Sequence, residues 1–279
     1  MKQAGFSLVE IMISLALGAI LSVTVIQVMV SQSVTDKLNR ALASVQENGR
    51  YAVVKLQQDI MLTGRYDMLS VQLDRGQDIT EEAVFLQNNA LVLPNTFANR
   101  AELGVSQGSS GGNDSLVISK VDSRDCRGYS LGYATGVEFP VVNEYFVEDR
   151  KLKCRGFDLR VLRGMQVATG HNNHNAFTLL DNVEGFQVLY GVAYHANGSA
   201  LATPNQYVTA DNISAPERVV AVRIALLIRS DDAININNTR GFTLLNEASV
   251  TPATSHLYRQ FEATIMLRNM QNMIKRSRV

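Results

Sequence analysis

"GFSLVEIMISLALGAILSVTVIQVMV", residues 5–30, decides the architecture. From Phe6 to Val30 the run contains no proline and one ionisable side chain, Glu10. At 1.5 Å rise per residue, a helix over it spans roughly 37 Å, enough to cross a hydrocarbon core of about 30 Å. A secretory signal has a shorter apolar region, about 7–15 residues, ended by a small-x-small cleavage site. This run is longer, and no such site closes it. The flanking charges leave orientation open, because Lys2 and the amino terminus compete with Lys37 and Arg40. A carboxylate so close to the start of a lipid segment requires a reason.

Helical periodicity continues past Val30. Val34, Leu38, Ala41, Leu42, Val45, Ala52, Val53, Leu56, Ile60 and Met61 recur at three- and four-residue steps, with Asp36, Lys37, Arg40, Glu47, Lys55 and Asp59 assigned to the other faces. Gly49 reads as a weak point, costing about 1 kcal/mol relative to alanine in an exposed helix. Gly64 is placed to stop the helix. The expectation is one helix over residues 6–63, roughly 85 Å long, apolar over 6–30 and amphipathic over 31–63.

Beyond Gly64 the period changes to two. Val220, Val222, Ile224, Leu226 and Ile228 line one face of "RVVAVRIALLIRS"; Phe261, Ala263, Ile265 and Leu267 line one face of "QFEATIMLR". "GFQVLYGVAYH" places Phe186, Val188, Tyr190, Val192 and Tyr194 together. Shorter strand candidates are "AVFLQ" from 83, "SLVISKV" from 115, "VVNEYFVE" from 141 and "FDLRVLR" from 157. Polar stretches from 107, 170, 195 and 231 read as loops. The amphipathic half-helix should cover this β-rich domain, residues 64–279, giving an α+β fold with no second domain boundary.

Composition excludes more than it suggests. With 26 basic and 26 acidic residues the chain has no formal net charge, so nothing points to nucleic acid. Hydrophobic residues make up 46%, a value raised by the first thirty positions. Cys126 and Cys154 favour one disulfide if that part of the chain lies outside the cytoplasm; the alternative is two buried thiols. Closing that loop stabilises by roughly 3–4 kcal/mol on the chain-entropy account.

His171 and His174 in "HNNH" lack a nearby acidic or cysteine ligand to complete a metal site. Asp231, Asp232, Asn235 and Asn237 miss the calcium-loop spacing and its closing glutamate. "GSSGGND" precedes a strand rather than a helix, so it reads as a flexible connection and not a phosphate cradle. No G-x-S-x-G elbow is present. Tyr145, Phe146, Phe186 and Tyr190 fall at strand spacing, where packing outweighs a ligand platform. No cofactor, metal or catalytic residue is expected.

The start, "MKQAGFSLVEIMISLALG", resembles the class III signal of type IV prepilins and pseudopilins: Lys2 in a short leader, then Gly5, Phe6 and Glu10. "ASVQENGRYAVVKLQQDIMLTGRYD", "GNDSLVI", "LLDNVEGFQVLYGV" and "YRQFEATIMLRN" look like PilW-type minor pilins. The resemblance implies a cytoplasmic leader, residues 1–5, removed between Gly5 and Phe6 by a prepilin peptidase that also methylates Phe6. It implies a bacterial inner-membrane anchor with a periplasmic body, and a place at the pilus tip after assembly. The chain is then the peptidase's substrate and no enzyme, joining other minor pilins, the major pilin and, in some systems, a large adhesin, in pili that serve twitching motility, DNA uptake or cell adhesion.

Glu10 is implied to pair with the N-terminal amine of a neighbouring subunit or of its own chain; the alternative is a carboxylate near the interface that stays wet. Ser14, Ala16, Gly18, Ala19 and Ser22 would permit close helix packing. A J-like pseudopilin of a type II secretion system shares the same signal and layout, and a tethered periplasmic enzyme or binding protein is a more distant alternative.

Overall fold

A computed structural model describes residues 7–172, 175–193, 203–214, 218–234, 241–245, 249–251 and 255–270. Helix α1 runs unbroken from Leu8 to Met61, about 81 Å at the usual rise. Its two halves have different surroundings. All residues from Ser7 to Arg40 are exposed, whereas Ala41, Val45, Gly49, Ala52, Leu56 and Ile60 are buried at steps of three and four. The same stripe continues outward, uncovered, through Leu38 and Val34. At the other end Gly64 adopts φ 74°, a conformation that costs glycine little. Its N–H reaches the Ser119 carbonyl at 2.9 Å, tying the helix exit to the first strand.

That strand, β1 (Leu116–Asp122), is followed by β2 (Phe139–Glu148), β3 (Lys151–Asp158) and β4 (Phe177–Asp181) in an antiparallel sheet of that order. Asp149 and Arg150 join β2 to β3 with φ of 53° and 57°, the primed geometry that matches the twist of paired strands. Asn182, at φ 62°, turns the chain into the second sheet. It comprises β5 (Val183–Val192), β6 (Gln206–Val208), β7 (Val219–Arg229) and β8 (Tyr258–Met266) in the order β6-β5-β7-β8.

Register explains why α1 rests on this second sheet. Phe186, Leu226 and Phe261 lie abreast, as do Val188, Ile224 and Ala263, and then Tyr190, Val222 and Ile265. The alternating apolar residues thus become three cross-strand rows in one core, which also takes in Val45, Ala52, Leu56 and Ile60 of α1. Cross-strand rows of this kind are the unit of sheet stability.

Three local expectations fail for identifiable reasons. "AVFLQ" belongs to helix α2 (Ile79–Asn88), because Asp78 caps it by accepting from the Thr80 and Glu81 N–H groups. "FDLRVLR" only begins as strand: Asp158 accepts from the Arg160 N–H and starts a helical turn, α3 (Leu159–Leu162). In β7 an irregularity between Gly191 and Val192 of the partner strand brings Val219, rather than Val220, into the main core.

Gly49 is no weak point of an exposed helix. It is buried, and a Cβ there would collide with the Phe261 ring, so the missing side chain lets β8 pack against the helix backbone. Gly49→Ala should therefore lower stability by about 1–2 kcal/mol through overpacking, against the roughly 1 kcal/mol that alanine gains in helix propensity. Thermal unfolding of the full chain in detergent, followed by circular dichroism, checks this. Adding Phe261→Leu should recover part of the loss.

Candidate functional site

The first five residues of the apolar run's leader and Phe6 lie outside the described residues, so Gly5 and Phe6 have no geometry to report. Glu10 is described. It stands in the first turn of α1 and its Oε2 accepts the Ser7 N–H at 3.2 Å, meeting one of the donors a helix start leaves open. A carboxylate there also faces the positive end of the helix dipole.

Above it the helix is a rod of exposed aliphatics: Leu8, Val9, Ile11, Met12, Ile13, Leu15, Leu17, Ile20 and Leu21 are all more than half exposed. An 18-residue window of α1 reaches a mean hydropathy of 2.3. The hydroxyls within this half fold back on the helix. Ser14 donates to the Glu10 carbonyl at 2.7 Å, Ser22 to Gly18 at 2.8 Å and Thr24 to Leu21 at 2.7 Å. Each of these three hydroxyls is thereby satisfied locally, as lipid demands. Around Gly18 an added Cβ meets nothing within 4 Å, so this part of the rod is open to a second helix.

The lower half of the rod is fixed to the body by a buried polar cluster. Asp59, only 7% exposed, accepts from Lys120 Nζ at 2.6 Å, from Asn143 Nδ2 at 2.9 Å and from the Tyr145 hydroxyl. Lys120 also reaches Asp122 at 2.7 Å. Burial pushes the Asp59 carboxyl up, but the Lys120 charge and the bonds from Lys120 and Tyr145 outweigh it and hold the group below its ordinary 3.8. Burial likewise pushes Lys120 down, and Asp59 with Asp122 reverse that, leaving it above its ordinary 10.5. The cluster's stability is thus complete between these two values. It is lost as acid takes Asp59 through its lowered folded value, or as alkali takes Lys120 through its raised one.

Asp59→Ala leaves Lys120, Asn143 and Tyr145 buried without their acceptor. It should cost about 3–5 kcal/mol and flatten the loss of stability below about pH 4, both readable from urea unfolding as a function of pH. In the sequence Asp59 reads as a polar-face residue, and no local signal marks its burial, because Lys120, Asn143 and Tyr145 are distant in the chain.

Elsewhere the body uses its polar residues for the fold. Cys126 and Cys154 are joined as a disulfide with Cα atoms 6.3 Å apart. Arg160 is buried and binds Glu82 through Nε at 2.5 Å and Nη2 at 2.9 Å, and Asp74 through Nη1 at 2.5 Å, so α2 and α3 are pinned to each other. The stretch "GSSGGND" is a clamp rather than a flexible connection. Asp114 accepts from the Gly108 and Val188 N–H groups at 2.8 and 2.7 Å, and Asn113 accepts from Phe186 N–H at 2.7 Å. It covers the edge of β5 just before the chain enters β1.

His171 stacks flat on Tyr129 at 4.0 Å, and His174 lies outside the described residues. Asp231 accepts from Ser44 at 2.9 Å and Asn182 at 2.5 Å, tying the body to α1; Asn235 and Asn237 lie outside the described residues. Among the described residues no group of three potential metal ligands occurs. Tyr145, Phe186 and Tyr190 are buried in the core, while Phe146 is half-buried beside a surface cleft.

An exposed apolar helix with a single N-terminal carboxylate, continuous with a helix locked into a disulfide-bonded β body, agrees with what two family models match. The prokaryotic N-terminal methylation motif matches residues 1–26, and the type IV pilus-assembly protein W family matches residues 142–269, from β2 to the end of β8 and beyond. The chain is a type IV pilin-like minor pilin.

No curated protein matches this minor pilin. Similar solved structures include a type IV-like pilin from Thermus thermophilus, 17% identical, covering 60% of this chain and 82% of its own at a TM-score of 0.33. A binary complex of two pseudopilins from the type 2 secretion system of Vibrio vulnificus is 11% identical, with coverage of 69% and 99% and a TM-score of 0.26. Superpositions this loose add nothing to the assignment, which the two family models carry. The minor pilin is accordingly a membrane-anchored structural protein.

Proposed function

We propose that this minor pilin primes type IV pilus assembly within a tip complex of minor pilins. In this reading a prepilin peptidase removes residues 1–5 at the cytoplasmic face and methylates Phe6. Residues 6–30 hold the chain in the inner membrane, residues 31–63 form the amphipathic half of the helix, and residues 64–279 form the periplasmic body. Glu10 pairs with the N-terminal amine of a neighbour, acting more as a register device than as a source of stability. The chain itself performs no catalysis; an adhesin, where the system has one, docks on the tip complex.

The observation that carries the reading is the continuity of α1. A mere membrane tether needs no rigid connection to its body, yet here Asp59, Gly49 and Gly64 fix the amphipathic half to both sheets. Force or position imposed on the membrane half is thereby transmitted to the body. The type II secretion alternative shares this device, and the match of residues 142–269 to the pilus-assembly family favours the pilus. Deleting the gene should abolish surface pili while leaving protein secretion intact. Intact pili with lost secretion would reverse the choice.

A further inference from the structure

A cleft of about 540 Å³ opens on the outer face of the first sheet. Its floor is built by β2 and β3, its walls by Arg100 on one side and by Asn175 and Ala176, leading into β4, on the other. Lys153 and Arg155 contribute two floor cations, and each already has a carboxylate: Lys153 meets Glu148 at 2.6 Å and Arg155 meets Glu144 at 2.8 Å. Arg100 does not. Its guanidinium is half-buried and lies 4.7 Å over the buried Phe157 ring, and among the described residues no carboxylate pairs with it.

Stacking on an aromatic face holds a guanidinium in place while leaving its edge donors free. The cleft is therefore one negative charge short. The rest of the lining is Phe146 beneath, with Asn175 and Ala176 at the wall. A single surplus positive charge among phenylalanines is poorly matched to a multiply charged phosphate, which calls for several converging donors. It fits a singly charged carboxylate carried on a polypeptide, and arginine with phenylalanine is the composition of protein interfaces.

We propose that the Arg100 cleft seats an acidic side chain, aspartate or glutamate, of a neighbouring pilin subunit. This rests on the chain acting as an assembling subunit. It supplies a contact between bodies, separate from the helix packing at Glu10.

Lys153 offers a direct test, since a water-soluble carbodiimide joins its amine to a contacting carboxylate as an amide, water being taken up as the reagent becomes a urea. Piliated cells carrying the full chain are treated, and linked peptides are identified by mass spectrometry. The expected product joins Lys153 to an acidic residue of another pilin. Its yield should fall about tenfold in Arg100→Glu and persist in Arg100→Lys, as expected when a close charge pair is reversed or kept. The internal Lys153–Glu148 product reports that the variant is folded.

Coupling to Glu148 alone in piliated cells, or equal intersubunit yields in Arg100→Glu, would overturn the proposal. So would shielding of Lys153 by an anionic polysaccharide without any protein cross-link. In each case pilin co-purification would stand unchanged, whereas its loss from the wild-type chain would refute the assembling-subunit reading instead.

Discussion

Gly5→Leu should leave the chain in the membrane as its full-length precursor. The peptidase must bring a backbone bond into its own active site, and a residue without a Cβ lets the chain approach where a branched side chain would not. Phe6 would then never become an amino terminus, and the amine proposed as the partner of Glu10 would remain an amide. The effect is all-or-none for maturation and leaves the body unaltered, because α1 packs on the sheets only from Ala41 onward. Intact-mass measurement of the extracted protein separates the outcomes. Retention of residues 1–5 without N-methylation is expected; normal maturation of the variant would contradict the assignment of the cleavage site.

Glu10→Ala should do the opposite at each step: mature normally and fail to assemble. A carboxylate within hydrocarbon costs roughly 2.5–3.5 kcal/mol on insertion scales, so its removal favours the anchor. A packed helix bundle that has lost one member of a desolvated ion pair is destabilised by about 3–5 kcal/mol, and incorporation into pili should fall at least tenfold. Glu10→Gln separates the hydrogen bond seen at this residue from the charge pair proposed for it. It keeps an acceptor for the Ser7 N–H but has no charge, so it should restore the helix start and not the assembly. Wild-type piliation in Glu10→Gln would mean that the local hydrogen bond, and not a charge pair, is what the residue supplies.

The parts of the fold legible in the sequence are those where one physical signal dominates. The apolar run and the three- and four-residue stripe announce α1, and β8 alternates cleanly because one of its faces is exposed. β7 is buried on both faces, Ala225 and Leu227 packing with Leu244 and Tyr258 behind it, so period two could not settle which valine enters the main core.

"AVFLQ" and "FDLRVLR" misled because apolar composition was weighed above the caps supplied by Asp78 and Asp158. Asp59, Gly49 and the Asn113–Asp114 clamp were invisible for another reason. Each derives its role from a partner distant in the chain: Lys120 and Tyr145, Phe261, and the β5 backbone. The same holds for Arg100, whose significance appears only when Phe157 is found beneath it. The N-terminal methylation motif, by contrast, is entirely local, and residues 1–26 match its model.

The central claim is that this chain works as an assembling pilin and not as a solitary tethered protein. Purifying the full-length protein from native membranes in mild detergent, and identifying what accompanies it by mass spectrometry, tests that most directly. Other pilin subunits should co-purify from wild-type membranes and be lost from Glu10→Ala. Recovery of the chain alone, with hydrolytic turnover in its body, would contradict the account.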